Sequence, residues 1–458
     1  METKKNKRST FSGKIGFVLS AAGASVGLGN IWRFPYLAAK YGGGIFLLIY
    51  ILLALTFGYT MIVAESALGR MTRKSPVGAF KAFGKKAGWL SFGGWINAII
   101  PVLIVPYYSV IGGWVIKYLI EYVKGNGTKL AADGYFSEFI SNGASTEICF
   151  VIFCLFTLSI IYAGVRNGIE RVSKFMMPIL VVLSVIIAIY SVTRPGAMAG
   201  VKYFLVPNLK NFSWMTVVAA MGQMFYSLSI AMGILITFGS YMKKDSSIED
   251  STRNVEVFDT AIAIMAGLMI IPAVFAFSGG DPDTLQAGPA LMFITIPKVF
   301  ANMGFGTVVG ILFFLLVLFA AVTSSIALTE SAVSTFEDEI GWSRRKSTVV
   351  IGIIMIALGT LSCLGYGPLA FVKIIGMQFL DFFDFLTNSV MMPIAAMMIS
   401  IFVSKVVGID RIEEEIRQGE AAFRRKKIFV VMIKYLCPIF AMIILASSVA
   451  NAFGWISM

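Results

Sequence analysis

The sequence predicts an all-α, polytopic membrane protein, and three observations support this fold class. Hydrophobic residues make up 57% of the 458 residues, charged residues make up 14%, and the mean hydropathy is +0.82. Apolar runs of about 20 residues, each long enough to cross a bilayer as a helix, recur along the chain. The alternating pattern of a membrane β-barrel does not occur. The lipid bilayer is therefore the expected surroundings of most of the chain.

Eleven spans are expected from the apolar runs. Their approximate ranges are 12–36, 42–69, 89–122, 145–164, 168–192, 213–241, 254–278, 304–336, 346–363, 371–404 and 429–454. The predicted organisation is a cytoplasmic segment (1–11), a first repeat of five spans (12–192), a second repeat of five spans (213–404), a cytoplasmic loop (405–428), and an eleventh span with a short external tail (429–458). The stretch 282–297 is expected to form a re-entrant segment or a surface cap.

Positive charge is concentrated in alternate loops, for example in residues 4–14, 70–86 and 405–427. Because basic loops stay in the cytoplasm, this pattern predicts a multi-pass protein of the inner (plasma) membrane with a cytoplasmic N-terminus. With eleven spans the C-terminus is external. The formal charge of +13 is attributed to this topology, and no nucleic-acid partner is expected.

Two spans carry small and polar residues at mid-depth, span 1 at 23–30 and span 6 at 227–233. These spans open the two blocks of five, and an odd number of spans requires the second block to be inverted. Interrupted helices in inverted repeats are typical of transporters that bind their cargo between the repeats. A broken helix exposes N–H groups on one side and carbonyls on the other, so two of them could hold a zwitterion and a cation.

The chain contains no histidine, which excludes imidazole metal sites and histidine-dependent catalytic triads. It also lacks an HExxH pair and a phosphate-binding loop, so no enzymatic activity is expected.

Several motifs resemble the neurotransmitter:sodium symporter family. They are GLGNIWRFPY at 27–36, GGG at 42–44, ESALGR at 65–70, GQMFYSLS at 222–229, TSS at 323–325 and FEDE at 336–339. The resemblance implies the leucine-transporter fold, with two inverted repeats of five spans, spans 1 and 6 unwound at mid-membrane, and an eleventh span. It also implies sodium-coupled symport of an amino acid into the cell by alternating access, by a monomer or a weak dimer. The alternatives are a membrane channel or sensor of the same fold and a proton-coupled amino-acid carrier.

The resemblance further implies two sodium sites. The first is implied to use Ser25, Asn30, Ser227, Asp259 and the carboxylate of the substrate. The second is implied to use the carbonyls of Gly23, Val26 and Ala320 and the hydroxyls of Thr323 and Ser324. Because the first ion and the substrate share a contact, each should raise the affinity of the other.

The substrate contacts are implied in the same way. They are Ser25, Leu28, Gly29, Ile104, Tyr108, Tyr226, Ser227, Ser229, Met232 and Leu328. Amine-carrying members have an aspartate where this chain has Gly27, so the substrate should bring its own carboxylate. The side-chain pocket is uncharged and includes the flexible Met232, which favours a neutral aromatic amino acid such as tyrosine or tryptophan, with leucine-like substrates as the alternative.

Chloride independence is expected from the residues around Asp259. Tyr50, Gln223 and Ser227 match the chloride site of other members, but Ala263 stands where another serine is expected. Asp259 should therefore supply the negative charge itself.

The gates are implied by charged pairs. Arg33 with Asp381 is expected to close the outer side, and Asp384, one helical turn away, is the alternative partner. The inner gate is implied to use Arg8 and Asp338 with Ser240 and Tyr241 as supports, while Phe11 replaces the usual tryptophan. Glu65 is implied to hold the unwound part of span 6.

Overall fold

A computed structural model describes residues 8–279 and 288–456, and most of these residues are helical. No β-strand forms within these two ranges. The predicted segment 1–11 and the predicted cap 282–297 lie partly outside them. The assignment of 12–192 and 213–404 as separate blocks stays a prediction.

Nine helices in the described ranges are long and apolar enough to cross a membrane. Numbered as in the eleven-span prediction, spans 2 to 5 and 7 to 11 are Gly44–Thr72, Gly88–Val123, Gly143–Tyr162, Val165–Val192, Ile248–Ser278, Gly306–Ile340, Arg344–Leu364, Phe379–Val407 and Lys426–Ala452. Shorter helices connect them at Pro76–Lys81, Gly127–Leu130, Tyr135–Ser141, Ala197–Leu205, Leu291–Ala301 and Ile409–Arg417.

The two remaining spans are broken helices. Span 1 consists of Lys14–Ser25 (1a) and Gly29–Lys40 (1b), with a bend of 54° between them. Span 6 consists of Trp214–Ser227 (6a) and Ile234–Ser240 (6b). The count of eleven spans stays a prediction, because 6a and 6b are each too short to cross a membrane alone.

Two span boundaries differ from the prediction for local reasons. Span 10 begins at Phe379 instead of 371, because Ile375 and Gly376 adopt positive φ angles of 52° and 78°, which interrupt a helix. Span 7 begins at Ile248 instead of 254, since the Ser247 hydroxyl accepts a hydrogen bond from the Asp250 N–H at 3.0 Å and caps a polar first turn.

The broken spans are packed into the centre of the helical bundle. Helix 1a lies against spans 5, 7 and 8, and span 8 packs along span 3. Spans 2 and 6b approach backbone to backbone, because a Cβ atom on Gly69 would collide with the Ile236 carbonyl and one on Gly239 would lie 2.5 Å from the Ser66 carbonyl oxygen. Glycine allows this close contact, which fixes 6b beside span 2.

Candidate functional site

The two breaks meet at a small cavity of about 30 Å³, which has room for one or two water molecules. All ten predicted substrate contacts line it. The other lining residues are Ala24, Gly27, Asn30, Ile234 and Ser324. The sequence analysis gave no role to Ala24 or Ile234. Ile234 is the first residue of helix 6b, so its place in the cavity follows only from where the break in span 6 ends.

The break in span 1 is short and depends on glycine. The Gly27 N–H donates to Asn30 Oδ1 at 3.2 Å, and the Leu28 N–H donates to the Tyr108 hydroxyl at 3.3 Å. A Cβ atom on Gly27 would lie 2.7 Å from Ser324 Oγ, and one on Gly29 would lie 2.5 Å from the Tyr226 ring. Both positions therefore exclude side chains unless their neighbours move.

The break in span 6 is longer and is held by side chains from other spans. Ser229, Ala231 and Gly233 adopt positive φ angles of 53°, 59° and 70°, which costs a non-glycine residue about 1–2 kcal/mol. The buried Glu65 compensates for this, because its Oε1 accepts a hydrogen bond from the Ala231 N–H at 2.8 Å. Ser229 Oγ donates to the Ala24 carbonyl at 3.0 Å and so joins the two breaks.

Asp259 is fully buried beside this cavity, where three side chains donate hydrogen bonds to it. The donors are Asn30 Nδ2 at 2.8 Å, Ser227 Oγ at 2.9 Å and the Tyr50 hydroxyl at 2.8 Å. The cluster joins spans 1, 2, 6 and 7. It brings together three of the four residues predicted for the first sodium site, and the fourth, Ser25, lines the adjoining cavity.

The residues predicted for the second sodium site also lie together. Ser324 Oγ lies 3.3 Å from the Gly23 carbonyl oxygen and 3.4 Å from that of Val26. Thr323 Oγ1 lies 3.2 Å from the Ala320 carbonyl oxygen. All the groups are neutral oxygens, which suit a hard monovalent cation.

A larger cavity of about 430 Å³ lies next to the first and shares Tyr108 and Tyr226 with it. Arg33, Asp381 and Asp384 all line this larger cavity.

In the described part of the chain, Arg33 forms no direct ion pair with either acid and lies over the Tyr226 ring at 5.2 Å. Asp381 accepts a hydrogen bond from the Tyr366 hydroxyl at 3.1 Å, and Asp384 accepts one from the Tyr107 hydroxyl at 3.2 Å. In this structure the hydroxyl of a tyrosine therefore binds each of the two acids, and the Arg33 guanidinium binds neither of them.

On the opposite side, the predicted pair Arg8 and Asp338 forms an ion pair of 2.6 Å. Arg8 also donates to Ser240 Oγ at 3.0 Å and lies over the Tyr241 ring at 4.8 Å. Phe11 is buried and meets Tyr241 edge to face at 5.9 Å, so the phenylalanine fills the site beside this pair.

Two further groups support this ion pair and were not predicted. The Ser75 N–H donates to Asp338 at 2.6 Å, and the Tyr241 hydroxyl donates to Glu330 at 2.6 Å. Glu330 could have been found as an acid within the apolar run of span 8. Ser75 acts through its backbone, which gives no signal in the sequence.

Comparisons with known proteins identify the family and the fold of this chain. The model of the "Sodium:neurotransmitter symporter family" matches residues 8–131 and 135–454. The uncharacterized sodium-dependent transporter YhdH of Bacillus subtilis is 36% identical over 415 residues, which cover 90% of this chain and 91% of YhdH. An uncharacterized sodium-dependent transporter of Haemophilus influenzae is 32% identical over 98% of this chain and 100% of its own length.

A solved structure is similar over nearly the whole chain. The crystal structure of MhsT in complex with L-phenylalanine has a TM-score of 0.86 and 35% sequence identity, and the match covers 96% of this chain and 100% of MhsT.

Proposed function

Because the chain belongs to the sodium:neurotransmitter symporter family, we propose that it carries a neutral hydrophobic or aromatic amino acid into the cell with two sodium ions and without chloride. Family membership makes the chain a sodium-dependent multi-pass membrane transporter, and the prediction that it is not an enzyme is confirmed. The predicted leucine-transporter fold is confirmed by the structural match to MhsT.

The observation that carries the proposal is the meeting of two helix breaks at one cavity. The substrate carboxylate would face the N–H groups of Leu28 and Gly29 and the Tyr108 hydroxyl. The substrate ammonium would face the carbonyls of Ser25 and Tyr226 on the other side. Both groups of a zwitterion thereby find partners without any charged side chain in the pocket.

Sodium coupling follows from the position of the first ion site. Asn30, Ser227 and Asp259 are joined by hydrogen bonds at the edge of the substrate cavity. An ion bound there would contact the substrate carboxylate, so ion and substrate would raise each other's affinity by the same factor. The second site, between span 1 and span 8, would release its ion to the low cytoplasmic sodium and loosen helix 1a.

Chloride independence is supported by the Asp259 carboxylate. It is fully buried and receives hydrogen bonds from Tyr50 and Ser227, two residues that match the chloride site of other members. A fixed negative charge there would balance the sodium ion without a mobile anion.

The substrate class is supported by the lining of the small cavity. Ile104, Met232 and Leu328 provide an uncharged wall, and MhsT, with the same fold, was crystallised with L-phenylalanine. Tyrosine and tryptophan are the preferred candidates, with leucine-like substrates as the alternative. Because a cavity of about 30 Å³ is too small for an aromatic side chain, the wall must repack on binding, which Met232 permits.

The transport cycle would use the two charged pairs in turn. The protein would lie in the inner membrane with the Arg8 side in the cytoplasm and the Arg33 side outside. The Arg8–Asp338 pair would keep the inner side closed while the outer cavity admits substrate. Arg33 would then close the outer side by pairing with Asp384, or with its neighbour Asp381, and the inner pair would part.

Uptake by purified protein in liposomes tests the proposal. An inward sodium gradient should drive accumulation of labelled tyrosine, and replacing sodium with choline should stop it. Replacing chloride with gluconate should leave it unchanged. Competition by each of the twenty amino acids would rank the substrates. Accumulation driven by a pH gradient without sodium would favour the proton-coupled alternative, and a downhill flux that is never concentrative would favour a channel.

A further inference from the structure

Two acids on span 10 face the outer cavity, and each is held by a different tyrosine. Tyr366, which precedes span 10, donates to Asp381 at 3.1 Å. Tyr107 of span 3 donates to Asp384 at 3.2 Å. The two acids are one helical turn apart, so the tyrosines distinguish carboxylates that the sequence alone cannot separate.

Asp384 is held more firmly than Asp381. Its Oδ1 atom also accepts a hydrogen bond from Asn388 Nδ2 at 2.6 Å, and Asn388 Nδ2 lies 3.1 Å from the Tyr107 hydroxyl. The π-helical turn Phe385–Met391 begins directly after Asp384. A π turn contains an extra residue, and such turns often occur at functional sites.

The guanidinium that Asp384 would pair with is engaged elsewhere. Arg33 lies over the Tyr226 ring at 5.2 Å, and both side chains line the outer cavity. A hydrogen bond to a charged acceptor contributes more stabilising free energy than an ion pair that is exposed to water. The two donors on Asp384 therefore outweigh the attraction of Arg33 as long as the cavity is hydrated.

We propose that Tyr107 and Asn388 form a catch that holds Asp384 away from Arg33 and keeps the outer side open until substrate is bound. The inference rests on the proposed function, since it assigns positioning residues to the outer gate of that transporter. Substrate binding below Tyr226 would exclude water from the cavity, strengthen the attraction between Arg33 and Asp384, and release the catch.

Thiol accessibility tests the catch without any need for transport. Ser448 lines the outer cavity, and the four native cysteines are all buried, so Ser448→Cys provides a single reporter. Its rate of reaction with a membrane-impermeant thiol reagent should fall about fivefold when Tyr107→Phe or Asn388→Leu is added, because loss of one hydrogen bond shifts the resting population towards the closed gate.

Two substitutions serve as matched controls. Tyr366→Phe removes the equivalent hydroxyl from Asp381, and Thr387→Val removes a hydroxyl that lies 3.3 Å from Tyr107 but does not bind the Asp384 carboxylate. Both should leave the Ser448→Cys rate unchanged. If Tyr366→Phe lowers the rate and Tyr107→Phe does not, the catch on Asp384 is wrong and Asp381 is the gate.

Removal of the attracting charge separates a catch from a folding defect. Adding Arg33→Met to Tyr107→Phe should restore the thiol reaction rate of Ser448→Cys, because Asp384 then has no positive charge with which to form the closed gate. A rate that stays low overturns the proposal. In liposomes the catch variants should raise KM about fivefold with kcat unchanged, because fewer molecules can accept substrate. If no amino acid is transported at all, the proposed function fails, but the accessibility result still decides the catch.

Discussion

The breaks in spans 1 and 6 serve one cavity but are built differently. Span 1 is interrupted for only a few residues, and none of them has a positive φ angle. Span 6 is interrupted over 228–233, where left-handed residues alternate with ordinary ones and two of the three are not glycine. The first break uses glycines that accept close neighbours. The second depends on two hydrogen bonds, one that Glu65 accepts from the Ala231 N–H and one that Ser229 donates to the Ala24 carbonyl.

The two breaks therefore have different causes, one within the span itself and one in contacts with other spans. A glycine-based break is favoured by the sequence of its own span, whereas a strained break exists because distant groups hold it open. The break in span 6 should therefore respond to changes in span 2, and the break in span 1 should respond mainly to changes within itself or in the atoms that touch it.

The largest effect is expected when the break in span 1 loses the sodium ion of the proposed second site, which its free carbonyls would bind. Thr323→Val replaces a hydroxyl by a methyl group of similar size, so the second sodium site would lose a ligand. The sodium concentration for half-maximal uptake should rise about tenfold or more, and sodium-driven uptake at ordinary concentrations should be abolished. The neighbouring Ser325→Ala removes a hydroxyl outside the site and is the control. Normal sodium dependence in Thr323→Val would refute the site.

Glu65→Ala tests whether span 6 is held open from span 2. The Ala231 N–H would lose its acceptor, a loss of about 1–3 kcal/mol, so 228–233 should rewind and uptake should fall about tenfold or more. Glu65→Gln keeps an oxygen acceptor and should retain most of the activity. Uptake rates and substrate binding would be measured for both, and equal loss in the two variants would show that charge matters more than the hydrogen bond.

Gly29→Ala tests the close packing of span 1. The added Cβ would lie 2.5 Å from the Tyr226 ring, so this ring, which lines the cavity, would have to move. Overpacking of this kind costs about 1–3 kcal/mol, and the Kd for substrate should rise about tenfold. Gly222→Ala is the matched control, because a Cβ there meets no atom within 4 Å. An unchanged Kd in Gly29→Ala would contradict this prediction and mean that the Tyr226 ring can adopt another conformation without affecting substrate binding.

Ser229→Ala removes the direct hydrogen bond between the two breaks. The loss of about 1 kcal/mol should raise KM about fivefold and leave expression unchanged. Ser229→Gly also lacks the hydroxyl but relieves the positive φ angle, so its KM should lie between those of the wild type and the alanine variant. If the KM of the glycine variant is the higher of the two, the positive φ angle at this position does not weaken substrate binding.

The smallest effect is expected from relief of strain at Ala231. Ala231→Gly should raise the melting temperature by about 1 °C, because glycine accepts the left-handed conformation but loses more entropy on folding. Gly27→Ala should lower the melting temperature, since its Cβ would meet Ser324. A thermal-shift measurement in detergent compares the two, and a decrease in both would contradict the distinction between the breaks.

The family motifs in the sequence named residues that the fold brings together, although their role as substrate contacts stays a prediction. Glycines and family motifs mark 23–30 and 222–229, and all ten expected contacts line one cavity. The sequence did not decide between Asp381 and Asp384, since neighbours one turn apart share a face. It also gave no sign of the turn at Ile375, because the apolar run there has the composition of a helix.

The glycine contacts between span 2 and helix 6b restrict how this protein can adapt to other cargo. Where two main chains touch, no side chain remains that could be trimmed or enlarged to change their separation. Relatives that evolve from this chain to accept larger or smaller molecules would have to alter the three wall residues Ile104, Met232 and Leu328. In the proposed pocket, selectivity would thus depend on a few exchangeable side chains beside a fixed contact between span 2 and helix 6b.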